Sequence, residues 1–158
     1  MKELGHDVVL MQELSAAELE KVREVTELRR YGAGEVILKQ GAPVDAVYVL
    51  LEGAVRVTAV MQEGDELVGH DEEVLTRLKP GEVFGELSFI TGAPPNLSVI
   101  AEEPSLVAAI LQTRLRQLLD QDGPLCQKFL MAMMRLLVGR LRDTGRELVL
   151  TRYFGRGR

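Results

Sequence analysis

The sequence predicts a mainly β protein with flanking helices: an N-terminal helix, an antiparallel β-roll, then one short and one long helix. Three observations predict it. Between about residues 34 and 111, short apolar or alternating runs are separated by turn signals, the pattern of an antiparallel barrel or sandwich. A capping-box pattern with apolar residues spaced by three and four precedes them. A long apolar-rich run with helical spacing follows them, opened by Gly123-Pro124.

In Ser15-Ala-Ala-Glu18 the Ser15 hydroxyl can accept from the Glu18 N–H while Glu18 reaches back. Leu19, Val22, Val25 and Leu28 then mark one face, so a helix is expected over about 15–30, ended by Gly32 and Gly34. The roll, expected over about 34–111, begins with "EVILKQ" and a turn at Gly41-Ala-Pro43, followed by "AVYVLLEG". In "AVRVTAV", Val55, Val57 and Ala59 alternate with Arg56, Thr58 and Val60. The polar stretch "MQEGDELVGHDEE" reads as an extended hairpin connection. "VLTRL", the turn "KPGE", "SVIAEE" and "LVAAIL" complete about seven strands. C-terminal helices are expected over about 113–150. Leu115, Leu118 and Leu119 mark the short one, and Phe129 through Val149 carry the apolar positions of the long one. Gly139 and Gly145 each cost about 1 kcal/mol relative to Ala inside a helix, which predicts close packing at Gly139 or fraying past Gly145. A single domain over 1–158 accounts for all of this.

Composition is that of a folded globular chain, 46% hydrophobic and 27% charged. Aromatics make up only 4%, with no Trp, too few for base-stacking platforms. The net charge of −5 disfavours nucleic acid and anionic membrane as partners. The basic clusters Arg114/Arg116, Arg140/Arg142/Arg146 and the tail "RYFGRGR" read as solvated helix faces or a frayed terminus. Cys126 is the one cysteine and reads as buried and inert. With no signal peptide and no apolar run of about 18 residues, the expectation is a cytoplasmic protein or domain.

Four segments, in order and at matching separations, resemble the cyclic-nucleotide-binding domains of the catabolite activator protein and of cyclic-nucleotide-dependent kinase regulatory subunits. They are "GEVILKQG" (34–41), "DAVYVLLEGAVRV" (45–57), "LKPGEVFGEL" (78–87) and "GAPPNLSVIA" (92–101). The resemblance covers about Leu14 to Leu141 and implies a double-stranded β-helix or jelly-roll core. It also implies a ligand, cyclic AMP or cyclic GMP, and no other cofactor.

By that resemblance, residues 84–101 are the phosphate-binding cassette. Phe84, Gly85, Glu86, Leu87, Ser88, Pro95, Asn96, Leu97 and Ser98 are its ligand-binding positions. Gly85 would let backbone approach the ligand. Glu86 resembles the carboxylate that accepts the ribose 2′-hydroxyl. The family's phosphate-clamping Arg falls at Pro95, and the small residues that follow it fall at Asn96 and Leu97. A hydrogen bond to a charged group contributes about 1.5–3 kcal/mol, so its loss weakens binding by about 10- to 150-fold. The expected function is a regulatory or sensor module that binds a cyclic nucleotide weakly or not at all. The alternative is a ligand-free dimerisation or protein-interaction module.

An enzyme is not expected, because none of the nucleophiles Cys126, Ser88 and Ser98 has an obvious base partner in the sequence and both His6 and His70 are remote from them. Two histidines make no metal set. Direct DNA binding is not expected, since no helix-turn-helix pattern follows the long helix. A homodimer is expected through that helix, at Phe129, Met133, Leu136, Leu137 and Leu141.

Overall fold

The computed structural model describes residues 3–60, 62–63, 66–67 and 72–154. After a 3-10 turn at Val9–Met11, helix α1 spans Ala16–Glu24. The strands are β1 (Thr26–Tyr31), β2 (Val36–Leu38), β3 (Ala46–Glu52), β4 (Val55–Ala59), β5 (Gln62–Glu63), β6 (Glu66–Leu67), β7 (Glu73–Leu78), β8 (Val83–Phe84), β9 (Ser98–Ala101) and β10 (Ser105–Leu111). Helix α2 (Glu86–Thr91) lies between β8 and β9, and α3 (Gln112–Gln121) and α4 (Gly123–Phe154) close the chain. Two four-stranded antiparallel sheets, β1-β10-β3-β8 and β2-β9-β4-β7, form the roll. The expected hairpin connection is the β5-β6 pair. His70 lies outside the described residues.

The capping box forms as the sequence predicts, with Glu18 N donating to Ser15 Oγ at 3.1 Å and Ser15 N to Glu18 Oε1 at 2.9 Å. The helix is shorter than expected, however, and residues 26–31 are β1. The Thr26 hydroxyl donates back to the Val22 carbonyl at 2.7 Å. From there six residues pair with β10, so a tertiary ladder overrides a helical pattern carried by β-branched residues.

Strands β3 and β10 are apolar on both faces because each face meets a core. Ala46, Tyr48 and Leu50, with Val107 and Ala109, point into the roll beside Leu38, Val57, Phe84 and Val99. Val47, Val49 and Leu51, with Leu106, Ala108 and Ile110, point to the helices. There they meet Val22 of α1, Phe89 of α2, Leu115 of α3, and Leu125, Phe129 and Met133 of α4.

The expected pairing stripe on α4 is corrected in part. Phe129 and Met133 are fully buried within this chain, and Leu136 packs against the same core, so the inward phase of the helix claims them. Among the residues of α4 whose side chains are described, the large apolar ones left exposed are Leu130, Met131, Met134, Val138 and Leu141, the last 72% exposed. Gly139 packs closely against nothing within this chain, since a Cβ there would meet nothing within 4 Å. No helix among the described residues is long and apolar enough to cross a membrane.

Candidate functional site

Strand β8 carries the chain into the cassette. Phe84 pairs with Tyr48 across the ladder, and their rings stack 5.0 Å apart at 12° inside the roll. Burial pushes the Tyr48 phenol above its ordinary range, and it donates to Asp45 at 3.0 Å. Gly85 then turns at φ 77°. A Cβ there would sit 3.0 Å from Tyr48 Cδ2 and 3.3 Å from the Ala46 carbonyl, so both the left-handed turn and the close approach require glycine.

That turn sets Glu86 at the start of α2, pointing inward and only 3% exposed. A buried carboxylate needs a partner. It has one in Arg140 of α4, whose Nη1 donates to Glu86 Oε1 while Nη2 donates to the Val83 carbonyl. The Arg140 side chain is 38% exposed, so the pair is dry on the carboxylate side and wet on the other. The expectation of a solvated face at Arg140 is therefore corrected. Arg140 continues the inward phase 129, 133, 136, 140, and that helical spacing was the signal for it in the sequence.

The remaining cassette positions are distributed. Leu87 is exposed, as is Ile90 beside it on α2, and Ser88 is buried. Pro95 is half-buried and its carbonyl accepts from Gly41 N at 2.8 Å. Asn96 is exposed. Leu97, where the resemblance calls for a small side chain, packs against the apolar interior of the roll. Ser98 is buried and its hydroxyl accepts from Gln40 N at 2.9 Å, tying the cassette to the 39–41 turn. An open groove of about 590 Å³ runs beside Pro95 and Asn96, with Lys39 and Glu72 among the described residues on its wall. The structure thus brings Glu86, at the start of α2, together with Arg140 and leaves Pro95 half-buried beside the open groove.

Arg116 of α3 is exposed, as its place on a solvated helix face leads one to expect, yet it too has partners in the fold. It donates to the Phe89 carbonyl of α2 and lies over the Phe89 ring, 4.6 Å from its centroid. Asp122 caps α4 by accepting from Leu125 N at 3.1 Å, and Lys21 of α1 pairs with it at 2.8 Å. Lys128 of α4 pairs with Glu18 at 2.6 Å, which holds the Glu18 carboxyl below its ordinary range. No group of three or more His, Cys, Asp or Glu among the described residues could hold a metal ion.

A roll of two antiparallel sheets, a short glycine-led helix between β8 and β9 and a long C-terminal helix touching it define a class of ligand-responsive regulatory domains. The family model for the cyclic nucleotide-binding domain matches residues 28–122, and the chain belongs to that family. A cAMP-dependent protein kinase regulatory subunit of Mycosarcoma maydis is 37% identical over 95 residues, 60% of this chain and 17% of that protein. The chain therefore corresponds to a small part of that relative. The catabolite activator protein of Thermus thermophilus superposes with a TM-score of 0.75 at 28% identity, over 92% of this chain and 63% of that one. A cyclic nucleotide-binding domain from Methylobacillus flagellatus kt superposes with a TM-score of 0.78 at 22% identity, over 89% and 79%.

Proposed function

We propose that this domain is a regulatory sensor, not an enzyme, that binds a cyclic nucleotide weakly and passes the event to α4 through Glu86 and Arg140. One observation carries the reading. The Glu86 carboxylate, which the family resemblance assigns to the ribose, is already buried and paired with a cation from the C-terminal helix. A ribose hydroxyl donating to Glu86 would draw on the same carboxylate, so binding and the hold on α4 are coupled. Pro95 gives the phosphate no cation, and Leu97 occupies room inside the roll. Both lower affinity without disturbing the fold.

The test is calorimetric titration with cyclic AMP and cyclic GMP up to millimolar concentration. Weak heat is expected from the wild type, none from Glu86→Ala, and about 10- to 150-fold tighter binding from Pro95→Arg. Silence from both wild type and Pro95→Arg would refute the ligand reading.

A second reading has its own support. Met131, Met134, Val138 and Leu141 are exposed and spaced three, four and three residues apart, the seam of a two-helix coiled coil. On this reading α4 pairs with its copy, and the domain serves as a dimerisation module whether or not a nucleotide binds.

A further inference from the structure

The cassette helix α2 is gripped at both ends by arginines from the C-terminal helices. Arg140 holds Glu86 and Val83 at its start. Near its other end, the Arg116 guanidinium both donates to the Phe89 carbonyl and covers the Phe89 ring. A helix of six residues leaves its last carbonyls without intrahelical donors. A cation there also suits the helix dipole. The flat guanidinium, with its donors in the plane and an apolar-tolerant face, lets one side chain make both contacts. Phe89 belongs to the same buried core cluster as Leu115 and Leu119 of α3.

From α3 the connection onward has little slack. Residue 122 alone separates α3 from α4, and Asp122 is fixed three times over. Its carboxylate accepts from Leu125 N, its carbonyl accepts from Cys126 N at 2.9 Å, and Lys21 of α1 pairs with it. A shift of α3 therefore reaches the root of α4.

We propose that Arg116 is the strut through which a displacement of the cassette helix reaches α3 and the root of α4, a route separate from the Glu86–Arg140 contact with the middle of α4. Arg116 is a positioning residue, since its contacts are with α2. The strut deepens the sensor reading above and rests on that reading for the ligand that displaces α2.

Hydrogen exchange tests it on the full chain, followed in segments 84–92, 112–122 and 123–146. Wild type, Arg116→Ala, Arg116→Lys and Phe89→Leu are compared with and without millimolar cyclic AMP or cyclic GMP, circular dichroism confirming the fold of each. In wild type, nucleotide is expected to change exchange in all three segments. In Arg116→Ala the change should remain in 84–92 and fall at least fivefold in 112–122. Arg116→Lys, which keeps the cation but not the flat stack, should recover part of it. Equal spread to 112–122 in wild type and Arg116→Ala would overturn the strut.

A second arm needs no ligand. Glu86→Ala releases the other grip by removing the acceptor that Arg140 holds on α2, and the loosening of α2 should raise exchange in 112–122 severalfold with Arg116 present and not in the Arg116→Ala/Glu86→Ala double variant. Equal increases in both backgrounds would overturn the strut. If neither nucleotide binds wild type or Pro95→Arg, the sensor reading fails alone, and this arm still decides the strut.

Discussion

Replacing Arg140 with Leu should cost far more stability than neutralising its partner. The change strands the Glu86 carboxylate, 3% exposed, with no compensating cation. Breaking a fully buried pair this way costs about 3–5 kcal/mol. Here the Arg140 side chain is 38% exposed, so solvent already screens one partner, and the cost falls to about 1.5–3 kcal/mol. For a domain of this size about 2–4 °C of melting temperature goes with each kcal/mol, giving a loss of about 3–12 °C. Glu86→Gln keeps the shape, one acceptor for Arg140, and the Arg140 bond to the Val83 carbonyl. It should cost only about 0.5–1 kcal/mol, or about 1–4 °C. The double variant then measures the coupling, expected at about 1–2 kcal/mol. Thermal melts read by circular dichroism, with urea titration as a check, are sufficient. An Arg140→Leu protein melting within about 1 °C of wild type would refute the buried-pair reasoning, as would a Glu86→Gln protein that is the less stable of the two.

Three further outcomes follow. Gly85→Ala should lower the melting temperature by about 2–8 °C, because a left-handed residue with a Cβ costs about 1–2 kcal/mol before its contact with Tyr48 is counted; an unchanged melt would contradict the turn geometry. Met134→Glu with Leu141→Glu should convert a dimer to a monomer by light scattering with little change in melting temperature, whereas a wild type that stays monomeric at high concentration removes the pairing role of α4. The Glu18 and Asp122 carboxyls are both held below their ordinary ranges, by Lys128 and Lys21 respectively. Their stabilisation is therefore full above the unfolded carboxylate values and is lost as pH falls from about 5 through the lower folded values. Lys128→Met should flatten that acid-side decline, and an unaltered pH profile would show that the Glu18 pair contributes nothing.

The front of the cassette was legible because local chemistry dictates it. Phe84-Gly85-Glu86 combines a residue that must fill the roll, one that must turn left-handed, and an acid that opens a helix. The capping box at Ser15 was legible for the same reason, as both of its partners lie within three residues. What a residue meets across the fold was not. Val25 and Thr26 continue a helical spacing, and only the β10 ladder makes the stretch after Val25 a strand. Phe129 and Leu141 belong to one apolar run, yet they lie about a third of a turn apart around α4, which sends one into the core and leaves the other exposed. Arg140 lay among neighbouring arginines that do face solvent, so its partner 54 positions upstream could be found only by following helical phase to the cassette. Gly139, expected to mark close packing, faces open space within this chain.

Strands β3 and β10 serve as the shared wall of two cores, and this bears on how the molecule comes apart. Cutting the chain after Leu111 would strip Leu115, Leu125, Phe129 and Met133 from the apolar face formed by Val47, Val49, Leu51, Leu106, Ala108 and Ile110, leaving only the N-terminal segment and Phe89 to cover it. The excised roll would be expected to aggregate instead of persisting as a smaller domain. Roll and helices should accordingly melt in a single cooperative transition, with neither half surviving the loss of the other.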